Sequence, residues 1–153
     1  MTTIPKIYEL QAKAAEILAA HAFISDAGIP VVANDGNKRK RIEGYLNNGG
    51  AVIEVLPEFS AQKRDQSGTA WIVDCTLIVL VKVNPKENAD TDNDGLGVNA
   101  MQVAVEVARA LCATTRHPGG EFFKISSDAI TLSTFEEGLL EYVCQFTKEG
   151  VPV

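Results

Sequence analysis

The segment of residues 70–83 constrains the fold more than any other part of this chain. Its alternate side chains form one apolar series: Trp71, Val73, Cys75, Leu77, Val79, Val81 and Val83. Side chains of a strand alternate between its two faces, so the series predicts a long strand with one face in the core. The opposite face includes Asp74, Ile78 and Leu80, and its middle is too apolar for open solvent. We therefore expect these three residues to contact a partner subunit.

A second strand is predicted over residues 51–56, which are rich in β-branched side chains and follow the turn residues 47–50. Pro57 is expected to end this strand, because proline cannot donate a hydrogen bond to a sheet ladder. Residues 60–69 are polar and would form the long tip of a hairpin that joins the two strands.

Two amphipathic helices are predicted from apolar residues at helical spacing. The first has its apolar stripe at Leu10, Ala14, Ile17, Leu18 and His21. The second covers residues 98–113 and has its apolar face at Met101, Ala104, Val105, Ala108, Leu111 and Cys112. A short strand is expected at Val31 and Val32, and two closing strands at residues 122–132 and 139–148.

The order of these elements defines the expected fold class. Hairpins rather than crossover helices join most of the strands, which predicts an α+β fold: a mainly antiparallel β-sheet with two main helices packed on one face. The 153 residues fit a single domain, residues 1–153. Hydrophobic residues make up 46% and charged residues 22%, so a packed core rather than disulfides should hold the domain together.

The net charge and the cysteines limit the classes of function that this chain can have. The formal net charge of −6 argues against general coating of nucleic acid, which relies on a basic surface. Cys75, Cys112 and Cys144 are an odd number at wide spacings among apolar neighbours, which favours buried reduced thiols over a disulfide framework or a zinc site. The first residues show no secretory signal pattern, so we expect a cytoplasmic location and no membrane partner.

An acidic segment, residues 84–97, is the sharpest local motif. Asp90, Asp92 and Asp94 alternate before Gly95, as in the first half of a calcium loop. The position that should supply a bidentate glutamate is Met101, which excludes a standard EF-hand. We expect a surface loop that contacts a partner or a neighbouring copy, with weak binding of a divalent cation as the alternative and no other cofactor.

The basic run Lys38, Arg39, Lys40 and Arg41 is expected in a turn that leads into a brief helical turn. Four adjacent cations repel one another unless they are solvated or matched by an acidic surface. The simplest interpretation is a solvated turn. The functional alternative is docking, either onto DNA phosphate or, in better agreement with the net charge, onto the acidic loop of a neighbouring copy.

No catalytic site is predicted. Thiol catalysis would need a thiolate beside His21 or His117 in an open, electropositive setting, whereas the cysteines lie on faces predicted to be apolar. The sequence has no nucleophile elbow, no glycine-rich phosphate loop after a strand and no histidine pair at metal-ligand spacing. We therefore do not expect an enzyme.

The layout of the whole chain resembles the tail terminator family of long-tailed bacteriophages, also called tail completion or minor tail protein U-like proteins. The shared features are an opening helix, the short strand at Pro30, Val31 and Val32, the strand pair of residues 51–56 and 70–83, the second helix, and a closing strand over residues 140–146. The basic turn and the extended acidic loop depart from the shorter members of the family.

This resemblance implies a structural protein of a phage or prophage virion tail, present in the host cytoplasm during assembly. It implies a homo-hexameric ring that caps the tail tube, stops its polymerisation and meets the head–tail connector, while DNA passes through without specific binding. Alternatives are another head–tail joining or tail-assembly protein, a small ligand-binding protein or enzyme of similar fold, and a monomeric adaptor for a host protein.

Overall fold

The computed structural model describes residues 9–67, 70–89, 95–113, 124–136 and 139–152. Its helices and strands, in chain order, are α1 (Leu10–Ala20), α2 (Ala22–Asp26), β1 (Val31–Ala33), α3 (Arg39–Asn47), β2 (Ala51–Ser67), β3 (Ala70–Val83), α4 (Pro85–Ala89), α5 (Ala100–Ala113), β4 (Lys124–Glu136) and β5 (Leu139–Pro152).

The strands form one five-stranded sheet in the order β1-β2-β3-β5-β4. The β2–β3, β3–β5 and β5–β4 pairs are antiparallel, and only β1 runs parallel to its neighbour β2. Each antiparallel pair is long because both of its strands extend over 13 or more residues. The predicted α+β class with a mainly antiparallel sheet is therefore confirmed.

One face of the sheet carries the main core. α1, α2 and α5 cover it, and α5 contacts β3, β4 and β5 as well as α1. The alternation predicted for β3 is confirmed where its side chains are described: Cys75, Leu77, Val79, Val81 and Val83 are buried. The two main helices, α1 and α5, pack on this same face, as predicted. We call it the helix face.

The other face of the sheet is covered at one end by α3, a nine-residue helix that is longer than the brief helical turn predicted after the basic run. Ile42 of α3 packs against Val32 of β1 and Val52 of β2, with Tyr45 and Leu46 beside them. On the same face, Ile78 and Leu80 of β3 are half-buried. We call this side the outer face.

The expectation that Pro57 ends β2 is wrong. β2 continues to Ser67, and its pairing with β3 shifts between Val55 and Phe59. Three residues of β2 lie opposite one residue of β3 at this point, so the ladder is locally interrupted. A proline without an N–H is tolerated in a strand at such an irregularity.

Three other boundaries differ from prediction. His21 has extended backbone angles and separates α1 from α2, so it does not continue the first helical stripe. The acidic segment begins with the short helix α4. The closing hairpin is longer than predicted, because β4 continues to Glu136 and β5 to Pro152.

One residue assigned to the apolar face of the second helix is not buried. Met101 is 56% exposed near the start of α5.

Asn88 ties together the two ends of the acidic segment. Its amide donates to the carbonyl of Val98 at 2.8 Å and accepts from the N–H of Val98 at 2.9 Å. Its backbone carbonyl accepts from the N–H of Gly97. Gly50 has a φ of +82° and passes so close that an added Cβ would overlap the backbone of Asn88. The end of the turn before β2 therefore packs against the backbone of Asn88.

We expect Gly50→Ala to destabilise the protein by at least about 2 kcal/mol, from left-handed strain and overlap with Asn88. Gly36→Ala is the matched control, because Gly36 also has a positive φ, +106°, but has open space where a Cβ would lie. Urea unfolding of both variants measures the difference. Equal losses would show that close approach to Asn88 contributes nothing.

Candidate functional site

The predicted basic interface residues lie at the start of α3. Lys38 precedes the helix, and the next three cations occupy its first turn. Positive charge is unfavourable at a helix N-terminus, and no side chain caps this one. Arg39, 90% exposed, places Nε 3.1 Å from Oε1 of Glu43, and Arg41 lies over the ring of Tyr45. The run is therefore a solvated helical surface, and its partner role stays a prediction.

Asp74, Ile78 and Leu80 share the outer face, as their alternation in β3 predicts. The carboxylate of Asp74 accepts a hydrogen bond from the N–H of Gly150 at 3.0 Å. The β3–β5 pairing shifts its register between Val73 and Cys75, so this bond supports an irregular part of the ladder. Asp74 thus has a role within the fold, and contact of these residues with a partner stays a prediction.

The candidate metal ligands Asp90, Asp92 and Asp94 lie outside the described residues. Within the described ranges, no group of three or more histidine, cysteine, aspartate or glutamate side chains is placed to hold a metal ion.

A cluster of buried charge that was not predicted lies on the outer face. Lys82 Nζ is 2.7 Å from Oε2 of Glu54 and 3.7 Å from Oε2 of Glu141. Asn34 donates its amide N–H to Oε1 of Glu54 at 2.7 Å. Gln11 in turn donates to the backbone carbonyls of Asn34 and Val55, which fixes the loop after β1. We call Asn34, Glu54, Lys82 and Glu141 the charged cluster.

Strand register explains how the charged cluster forms. Lys82 lies directly opposite Glu141 in the β3–β5 pair, and Glu54 is diagonal to it because Glu54 is opposite Leu80. Both separations are within reach of long side chains on one face of a sheet. The sequence signal was Glu54 itself, a charged residue within an apolar, β-branched segment.

Burial makes the charged cluster energetically important. The side chain of Glu54 is 5% exposed and that of Lys82 is 20% exposed. Lys82 Nζ, 2.7 Å from Oε2 of Glu54, supplies the positive charge beside that buried oxygen. Its stabilisation is therefore mainly electrostatic, and it depends on Lys82 remaining in place.

A cleft of about 230 Å³ opens between α3 and the charged cluster. The residues that line it are Asn34, Arg39, Ile42, Glu43, Leu46, Glu54, Lys82 and Leu139. The α3 residues among them follow helical spacing and form one wall, while β2, β3 and the start of β5 form the floor. The cleft thus combines an apolar wall with charged groups.

A second polar cluster joins the helices of the other face. His21 Nε2 is 2.8 Å from Oε2 of Glu106, and Arg109 donates to Oε1 of the same carboxylate at 2.7 Å. The hydrogen bond from His21 and the nearby Arg109 charge lower the pKa of Glu106 despite its burial. The cluster connects the α1–α2 junction to α5. We interpret it as a clamp between helices, because α2 and α5 are in contact there.

The cysteines lie in apolar surroundings. Cys75 and Cys144 are buried on the helix face and Cys112 is half-buried on α5. Burial raises the pKa of the Cys144 thiol to about 12, and burial together with the Asp74 charge raises the pKa of Cys75. The prediction that the cysteines lie in apolar surroundings is confirmed, and Cys75 and Cys144 are fully buried.

Comparison of the chain with models of protein families and with curated proteins gives no match. None of the helices in the described ranges is long and apolar enough to cross a membrane.

We expect Lys82→Met to destabilise the protein by about 3 kcal/mol, because it leaves the buried carboxylate of Glu54 without its cation. Arg39→Met, which breaks the exposed pair with Glu43, should cost less than about 1 kcal/mol. The double variant Glu54→Leu/Lys82→Met should recover much of the loss. Urea unfolding at pH 7 measures all three, and a Lys82→Met loss no larger than that of Arg39→Met would contradict the role of burial.

Native protein at pH 8 should react slowly with a thiol reagent at Cys75 and Cys144, since raised thiol pKa values and burial suppress the thiolate. Any fast reaction should belong to Cys112. Absorbance with a disulfide reagent, before and after unfolding, counts the accessible thiols, and single Cys→Ser variants assign them. Rapid modification of Cys144 in the folded protein would contradict its burial.

Proposed function

We propose that this chain is a non-enzymatic structural protein of a bacteriophage or prophage, a tail terminator that assembles into a homo-hexameric ring. The ring caps the tail tube, halts addition of tube subunits and presents a surface to the head–tail connector. The order of the helices and strands resembles that of the tail terminator family. In addition, the two edges of the sheet present different surfaces, one with exposed apolar side chains and one with exposed cations.

One edge of the sheet exposes two large apolar side chains. β4 is the outermost strand there, and it carries Leu132, 48% exposed, and Phe135, 77% exposed. These side chains lie opposite Tyr142 and Leu140 of β5. An edge strand has backbone groups available for pairing, and exposed apolar side chains beside such an edge are characteristic of contact surfaces.

The opposite edge is short and basic. β1 has only three residues, and α3 lies over this end of the sheet with its exposed cations. A closed ring of identical subunits needs two different surfaces on each subunit, which meet in a head-to-tail contact. Surfaces on opposite edges of one rigid sheet satisfy this geometric requirement, whereas a two-fold dimer would use one surface twice.

The remaining features are compatible with passage of DNA through such a ring. A net charge of −6 opposes retention of a polyanion, because like charges repel. The half-apolar outer face at Ile78 and Leu80 supplies an additional surface for the tube or the connector. Neither role requires a catalytic residue.

If β4 forms a subunit contact, Phe135→Asp should raise the concentration needed for assembly by about tenfold or more, as for a central aromatic contact. Folding should be nearly unchanged, because Phe135 is 77% exposed. Native mass spectrometry across concentration measures assembly, with a species of six times the 16.4 kDa chain mass expected for the parent protein. Negative-stain images would show whether it is a ring.

Ala22→Asp is the matched control, since Ala22 is exposed at the start of α2, where an added negative charge is compatible with the helix. It should assemble like the parent protein. A chain that stays monomeric at every concentration would contradict self-assembly. Unchanged assembly of Phe135→Asp would remove the β4 edge from the contact.

A further inference from the structure

The side of α3 that faces away from the sheet has no side chain at Gly44. Lys40 precedes Gly44 by four residues and Arg41 precedes it by three, so the three residues are neighbours on the helix surface. Ile42 points the other way and packs against the sheet. A Cβ added at Gly44 would meet no described atom outside its own helix within 4 Å. We call Lys40, Arg41 and Gly44 the glycine surface.

The folded chain itself gives no reason for a glycine at position 44. Glycine inside a helix is destabilising relative to alanine. Gly44 has no positive φ, and no neighbour in the described part of the chain would crowd a Cβ there. A third use of glycine is to let another molecule approach the backbone closely. An exposed helix side is a place where such an approach can occur.

Two of the cations at the start of α3 are not matched by a carboxylate. Lys38 and Arg39 each lie within 4 Å of one. Among the described residues, no carboxylate is that close to Lys40 or Arg41, and both of these cations are exposed. Arg41 stacks on Tyr45, which leaves its charge uncompensated. The glycine surface therefore carries two positive charges that favour an acidic partner.

The opposite edge of the sheet ends in residues that complement this surface. Phe135 and Glu136 are the last two residues of β4, and both are exposed. They point to opposite faces of the strand, because consecutive strand residues alternate. No cation in the described ranges lies within 4 Å of the Glu136 carboxylate. We call Phe135 and Glu136 the β4 end.

The two surfaces fit each other in shape and in charge. With no side chain at Gly44, the backbone of an edge strand can lie against α3, and the two side chains of the β4 end then straddle the helix. Phe135 meets the guanidinium of Arg41, since arginine stacks well on aromatic rings. Glu136 meets the ammonium of Lys40 on the other side. A helix laid along an edge strand also shields that strand from unwanted pairing.

We propose that the glycine surface of one copy binds the β4 end of the next copy. This contact rests on the head-to-tail assembly proposed above and names the two surfaces that meet in it. The carboxylate that faces the basic run is then Glu136, in place of the acidic loop that the sequence suggested.

Replacement of the glycine should change folding and assembly in opposite directions. Gly44→Gln should raise the urea midpoint of the unassembled chain by about 0.3 M, because glutamine favours a helix more than glycine does. It should raise the concentration needed for assembly by about tenfold or more, because the added side chain holds β4 away from α3. Ala19→Gln, at an exposed position of α1, is the matched control and should assemble like the parent protein.

Exchange of charges tests the ion pair between copies. Glu136→Lys and Lys40→Glu should each raise the concentration needed for assembly by about threefold or more, with a larger effect at low salt. The double variant should return to within about twofold of the parent protein. Lys13→Glu, which reverses an exposed charge on α1, is the control. Native mass spectrometry across concentration measures assembly, and a double variant no better than the singles would overturn the pairing.

The parent protein separates this contact from the proposed ring. If the parent assembles and Gly44→Gln assembles equally well, the ring stands and the contact is overturned. If the parent stays monomeric at every concentration, both are overturned. An assembly of another size that responds to these variants supports the contact and removes the hexamer. Duplex DNA that binds the parent but not Lys40→Glu, with assembly unchanged, would assign the glycine surface to phosphate and overturn the contact.

Discussion

The pairing of β3 on both of its sides is the constraint on which the other contacts depend. β2 and β5 both run antiparallel to it over most of its length, which fixes their registers relative to each other. Because strand side chains alternate, one register buries the odd-numbered residues from Cys75 to Val83 under the helices. The same register brings Glu54 and Glu141 to Lys82 on the outer face.

α3 illustrates how tertiary packing overrides local sequence preference. Three consecutive cations begin the helix at the end where the macrodipole favours negative charge. Burial of Ile42 against β1 and β2 offsets this unfavourable start, with additional contacts from Tyr45 and Leu46. The helix therefore lies where its apolar side reaches the sheet, and its exposed cations are a consequence of that orientation.

Sequence reasoning recovered the features that repeat over many residues. The alternation in β3 and the spacing of the two main helices predicted the fold class and most of the helix face. It missed the features that depend on contact between distant segments. Nothing local reveals the bulge near Pro57, and nothing local identifies the partners of Glu54, because Asn34 and Lys82 lie 20 and 28 positions away. Only register places them together.

The two faces of the sheet differ in their cover and in their polar groups. The helix face is closed by α1, α2 and α5, and its polar groups serve as clamps, as in the His21–Glu106 contact. The outer face combines buried charge with half-buried apolar side chains, and α3 covers only one end of it. Buried ion pairs contribute little net stability compared with apolar packing. Loss of one member alone is nonetheless costly, because it leaves the other charge buried without a partner.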